Sequence, residues 1–227
     1  MRFEKVLTAD GSSSVRVVEW DEIFHSRRGA VRESKHVFID NGIRKVLDVH
    51  SGRSDLRVLE MGFGTGLNAF LTALTLLDRC DKSVDYVSLD AFPLENSLAL
   101  SMEYPSQLEV PLLEELIVKM IDMSWGERGI ILPNFRLTKL HTDIQSHTSH
   151  EPYDILLYDA FGPRSQPELW TSDHFQQVRS LLTHDAFLVT YCAKGDVKRA
   201  LRTAGFRVET LPGPPGKREM IRAWVDT

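Results

Sequence analysis

Apolar positions in this chain follow two regimes: alternation over roughly the first fifty residues, and strand–helix blocks from Leu56 onward. Residues 2–7 and 14–20 predict two short strands around the turn Asp10-Gly11-Ser12, a hairpin. The run 36–40 reads as a further β-like segment. Residues 1–50 are therefore expected to form a small β-rich extension, and 51–227 a main domain. Within the main domain the pattern predicts strands at 56–61, 84–89, 135–140, 153–158 and 186–191. Helices are predicted at 67–77, 94–102, 112–123, 172–182 and 197–204. Such alternation predicts an α/β fold, a mostly parallel sheet covered on both faces. The last two strands, 206–211 and 219–225, are joined by Pro212-Gly213-Pro214-Pro215-Gly216, too short for a crossover helix, so that pair is expected to be antiparallel.

Composition changes this picture little. The chain has 227 residues, 42% hydrophobic and 26% charged, an ordinary globular balance. No apolar run is long enough to span a membrane, and the start resembles no secretory signal. Cys80 and Cys192 lie far apart and are read as reduced thiols of a cytoplasmic protein. A net charge of −5 means that a nucleic-acid partner needs a local basic patch. His141, His147, His150 and His174 fall at no metal-ligand spacing, so no metal is expected. Neither a nucleophile elbow nor a Walker loop is present.

The chemistry is expected at strand ends, where open α/β sheets bind their ligands. Glu60-Met61-Gly62-Phe63-Gly64-Thr65-Gly66 closes the first strand of the main domain, and its glycines allow a ligand close to the backbone. A dinucleotide fingerprint wants glycine at position 67, which is Leu67, so a dehydrogenase is disfavoured. Glu60 suits the cationic amino-acid end of S-adenosylmethionine better than a pyrophosphate. Asp90 ends the second strand, where a carboxylate can accept from both ribose hydroxyls, and Asp143 follows the third, within reach of an adenine amino group. Asp159, after the fourth, is placed to bind beside the transferred methyl and to orient an attacking nitrogen as the catalytic carboxylate.

Taken together these segments resemble the methyltransferase part of the MnmC family, whose members finish 5-methylaminomethyl-2-thiouridine at the tRNA wobble position. The likeness covers nearly the whole chain. It runs through Arg32-Glu33-Ser34 with His36-Val37-Phe38-Ile39, the loop Glu60–Asn68, and Ser88-Leu89-Asp90-Ala91-Phe92-Pro93-Leu94. It continues in Tyr158-Asp159-Ala160-Phe161-Gly162-Pro163, Gln166-Pro167-Glu168-Leu169-Trp170-Thr171 and Gly216-Lys217-Arg218-Glu219-Met220. Ala160 and Gly162 stand where the family usually has Gly and Ala, a swap that bears on the loop's backbone. The resemblance implies a class I methyltransferase of Rossmann-like fold that uses S-adenosyl-L-methionine. With the chain ending at Thr227, it looks like the stand-alone (MnmD-type) form, without the flavin oxidase and dependent on another enzyme for the aminomethyl precursor. The implied substrate is 5-aminomethyl-(2-thio)uridine in a tRNA anticodon stem-loop, with Phe161 or Trp170 stacking on the base. Arg27, Arg28, Lys217 and Arg218 head the candidates for phosphate contacts, with Arg32, Lys35, Lys194, Lys198, Arg199 and Arg202 behind them. The rival within the enzyme class is methyl or aminopropyl transfer to a small free amine, as in polyamine synthases.

Overall fold

In the computed structural model of the chain, residues 1–225 are described. The expected hairpin forms: β1 (Phe3–Leu7) pairs antiparallel with β2 (Ser13–Val17), and β3 (Glu22–Ile23) adds a third strand beyond β2. Asp10 ties the turn, its carboxylate accepting from the Thr8 hydroxyl and the Ser12 amide.

The run 36–40, expected as extended, is helical instead. α1 (Ala30–Ser34), a π-wound stretch Lys35–Ile43 and α2 (Arg44–Val49) follow one another as a continuous helix. Val37, Phe38, Ile39, Ile43, Val46 and Leu47 are all buried. The helix touches both the large sheet and α3 (Leu67–Leu76), so consecutive apolar residues meet protein on several sides. An element buried that way shows no clear amphipathic period, which is why the pattern read as a strand. Gly42 permits the close approach: a Cβ there would meet Val189 at 3.2 Å and Leu157 at 3.3 Å.

The main sheet has eight strands: β4 (Asp55–Met61), β5 (Ser83–Asp90), β6 (Arg128–Leu132), β7 (Phe135–His141), β8 (Tyr153–Tyr158), β9 (Leu182–Thr190), β10 (Phe206–Pro212) and β11 (Glu219–Val225). Their order is β10-β11-β9-β8-β4-β5-β7-β6. The central pairs β4–β5, β4–β8, β5–β7 and β8–β9 are parallel. β11 runs antiparallel to both β9 and β10, as the short connection requires. β6 is an antiparallel edge strand that the sequence pattern missed, because Arg128-Gly129-Ile130-Ile131-Leu132 neither alternates nor stands apart from β7.

Alternate residues of the central strands feed opposite faces. Val58, Ile155, Leu157 and Val189 join the core that holds the helix over 30–49, α3 and residues of α6 (Glu114–Asp122). Leu59, Leu156 and Leu188 join the core built with α7 (Ser172–Arg179) and α8 (Gly195–Thr203). The remaining short helices, α4 (Asn96–Leu100) and α5 (Tyr104–Gln107), follow β5. From β4 the chain proceeds to β5 and β7 on one side, then returns to β8 on the other. That reversal opens a crevice at the carboxyl ends of β4 and β8.

Phe38→Ala tests the helix: truncating a fully buried aromatic costs about 3–5 kcal/mol in urea denaturation. A loss below about 1 kcal/mol would match a surface strand and contradict this packing.

Candidate active site

At those carboxyl ends lies a cavity of about 290 Å³. Its floor and one wall come from strand-end loops: Met61–Thr65 after β4, Asp90–Phe92 after β5, Thr142–Gln145 after β7 and Asp159–Gly162 after β8. Tyr191, just after β9, also lines it. The opposite wall is the small sheet and its exit, with Phe3, Glu22, Ile23, Phe24 and His25. Sequence reasoning missed this wall, since nothing local in 22–25 marks it as facing loops far along the chain.

Gly62, Gly64 and Gly66 all take positive φ, at 90°, 52° and 76°. Such values strain any residue with a Cβ, and a Cβ on Gly64 would also meet the Phe24 ring at 3.1 Å. Asp90 fastens this loop: one carboxylate oxygen accepts the Gly64 N–H at 2.8 Å and the other the Phe92 N–H at 2.9 Å. Each oxygen keeps a lone pair for a ligand hydroxyl. Burial raises the Asp90 carboxyl above its ordinary value, against those two amides. Asp143 also lines the cavity; one of its oxygens accepts the Ser146 N–H at 2.7 Å, beside buried Ile144.

Asp159 lines the cavity with its carboxylate taking a hydrogen bond from the Asn68 amide at 3.2 Å. Burial, with the negative charge of Glu33, pushes its pKa up to about 8, against the Asn68 hydrogen bond and Lys217. Glu60 occupies a different place from the one its position in the sequence suggests. It is fully buried beneath the glycine loop, outside the cavity lining, and accepts the Ser88 hydroxyl at 2.6 Å. Burial pushes it up to about 8 as well, opposed by Ser88 and reinforced by Asp159. Glu60 does not itself line the cavity, and its second carboxylate oxygen is buried with no hydrogen-bond partner.

Of the two aromatic candidates, Phe161 lines the cavity, edge-on to Trp20 at 5.3 Å and to Phe24 at 5.5 Å. Trp170 does not. It is buried against Tyr158 and Phe175, and its indole N–H donates to the Phe161 carbonyl at 2.8 Å. Trp170 therefore holds the loop from below. Arg27, Arg28 and Arg218 are exposed, and the Arg28 side chain lies directly on Gly216, so the segment after the cavity wall meets the β10–β11 turn. Lys217 turns inward: its ammonium is 2.5 Å from the Glu33 carboxylate. Lys198 is likewise paired, with Glu219 at 2.6 Å, and Arg199 with Asp196. Among the described residues no cluster of His, Cys, Asp or Glu is placed to hold a metal, and no helix is long and apolar enough to cross a membrane.

The residues fit a cationic, nucleoside-bearing cofactor. A glycine cradle that a Cβ would fill, a strand-end carboxylate with lone pairs to spare, and a poorly solvated acid at the floor all favour a ligand carrying hydroxyls and positive charge. No Lys or Arg side chain lines the cavity, whereas Glu22, Asp90, Asp143, Asp159 and Glu168 do. Fold and site together define a class I methyltransferase. Comparison with known proteins agrees: a family model described as S-adenosyl-L-methionine-dependent methyltransferase matches residues 113–226, and the chain belongs to that family.

Among curated relatives, the tRNA 5-methylaminomethyl-2-thiouridine biosynthesis bifunctional protein MnmC of Pseudomonas syringae pv. syringae is 28% identical, over 96% of this chain and 34% of that protein. The protein of the same name from Azoarcus sp. is 31% identical, over 89% of this chain and 33% of its own length. The chain thus spans about a third of these relatives. Among solved structures, MNMC2 from Aquifex aeolicus superposes with a TM-score of 0.78 at 25% identity, covering 100% of this chain and 71% of that one. Spermidine synthase from Thermotoga maritima, at 12% identity and a TM-score of 0.55, covers 100% of this chain and 69% of its own, and shares the fold.

Glu60 and Asp159 hold protons in the folded chain at pH values where the unfolded chain has released them. Stability accordingly falls as pH rises from the ordinary carboxylate range toward about 8. Glu60→Gln flattens that slope in chemical denaturation series across this window. An unaltered slope would mean that Glu60 is already ionised in the folded protein.

Proposed function

We propose that this chain methylates the primary amine of 5-aminomethyl-(2-thio)uridine at the wobble position of tRNA, giving the 5-methylaminomethyl base. The observation that carries the reading is Asp159 in the lining of a strand-end cavity together with the positive-φ glycines Gly62 and Gly64, a cavity lined by acids and by no lysine or arginine. The names of the relatives supply the substrate class.

Gly62 and Gly64 would take the cofactor against the backbone, Asp90 its ribose, and Asp143 with Ile144 its adenine. When bound, S-adenosyl-L-methionine supplies a methyl group on a positively charged sulfonium. Asp159 holds the incoming amine and accepts its proton; a carboxyl near 8 exchanges a proton readily at neutral pH. A nearby cation favours the ionised form of Asp159, so the acid becomes a better acceptor once the cavity is filled. In-line transfer then rests chiefly on alignment. Phe161 offers an aromatic face for an everted uracil, steadied by Trp20, Phe24 and, through its carbonyl, Trp170. Arg27, Arg28 and Arg218 serve anticodon stem-loop phosphates. The aminomethyl group is in place before this step, and the work is done in the cytoplasm. Transfer to a small free amine has the fold of spermidine synthase behind it, and fold alone.

The test incubates the protein with labelled S-adenosylmethionine and tRNA arrested before this step, followed by digestion to nucleosides. Label appears in a 5-substituted uridine, and Asp159→Asn lowers turnover by about 10²–10⁴-fold while cofactor binding persists. Label in any other nucleoside, or in free amine without RNA, overturns the assignment.

A further inference from the structure

The turn of Lys217 toward Glu33 makes a charge pair, its carboxylate buried and its ammonium on a side chain one-third exposed, that phosphate binding does not explain. Glu33, on α1, is 5% exposed. One of its oxygens accepts the Ser26 N–H at 2.6 Å, and the other faces the Lys217 ammonium at 2.5 Å. That ammonium also sits 3.9 Å over the Tyr191 ring. The Tyr191 hydroxyl in turn donates to the Ala160 carbonyl at 2.9 Å, on the residue that follows Asp159. Arg28, lying on Gly216, fixes the turn that delivers Lys217. Helix, closing turn and active-site loop are thus connected through one lysine.

We infer that Lys217, held by Glu33 across the face of Tyr191, is a positioning residue that fixes the Ala160 carbonyl and supplies Asp159 with positive charge, rather than a contact for RNA phosphate. The inference rests on the role given to Asp159 above. Glu33 on α1 and Lys217 in the β10–β11 turn act on Asp159, and Asp159 in turn acts on Glu60 of β4, Tyr86 of β5 and Tyr191 after β9. Glu22, on β3, acts on Tyr191. Lys217 and Glu33 act with opposite signs: the lysine favours the Asp159 carboxylate and the glutamate opposes it. The two halves of the pair therefore leave distinguishable signatures when removed.

The test measures S-adenosylmethionine binding by calorimetry across pH, without RNA, in wild type, Lys217→Met, Glu33→Gln and the double variant. Binding of a cation strengthens as Asp159 ionises, and the cofactor's own titration is common to all forms and cancels in the difference. Lys217→Met moves the midpoint up by about half a pH unit or more, and Glu33→Gln moves it down. The double variant, which does not leave the buried Glu33 carboxylate without its partner, guards against misfolding of Lys217→Met and returns the midpoint toward wild type. The salt dependence of tRNA binding stays unchanged in Lys217→Met. Midpoints that do not move, or a salt slope reduced by about one counterion, would overturn the inference and make Lys217 a phosphate contact. Failure of the RNA substrate assignment would leave the midpoint shifts intact, so the two failures are separable.

Discussion

Two carboxylates deprived of water, at the carboxyl ends of the neighbouring parallel strands β4 and β8, are the constraint on which this structure turns. Burying an unpaired carboxylate is costly, and such a group takes up a proton instead of bearing the charge. Glu60 meets that cost only in part within the fold: one oxygen accepts from Ser88, and the other is buried with no hydrogen-bond partner. Asp159 meets it partly, through Asn68, and stands at a cavity open to a ligand. A cation bound there favours the ionised form of Asp159 and offsets the desolvation that otherwise keeps it protonated. Binding preference and proton uptake are thus two readings of one buried acid.

The surrounding parts serve to keep that acid in place. Positive-φ glycines bring the β4 loop down beside it, with Asp90 fastening the loop to the end of β5. From the other side, Trp170 and Tyr191 hold the Phe161 and Ala160 carbonyls. Below the glycine loop, the Lys139 ammonium lies 5.0 Å from each of the Phe63 and Trp125 rings and donates to the Ile121 carbonyl at 2.7 Å. This cage links the loop to α6. The small N-terminal sheet completes the enclosure, with Phe24 touching both the glycine loop and Phe161.

Much of the strand-end chemistry was legible because parallel strands deliver their loops to one rim. Gly62, Gly64, Asp90, Asp143, Asp159 and Phe161 all line the cavity as their positions after strands suggested. What escaped the sequence depends on contacts between distant segments. Trp170 lies beneath the loop, and Lys217 points at Glu33, because of packing that no local pattern records. Glu60 follows the same logic: strand alternation places it below the sheet's ligand-facing rim, next to Ser88 of the neighbouring strand. The helix over 30–49 was hidden by burial on several sides, and the N-terminal wall by its separation from the loops it covers.

A crystal structure with S-adenosylhomocysteine addresses the central claim most directly. The nucleoside is expected along Gly62–Gly64, with its ribose hydroxyls on Asp90 and its sulfur facing the Asp159 side of the cavity. Ligand bound elsewhere, or a ribose away from Asp90 with Asp159 turned from the cavity, would contradict that claim.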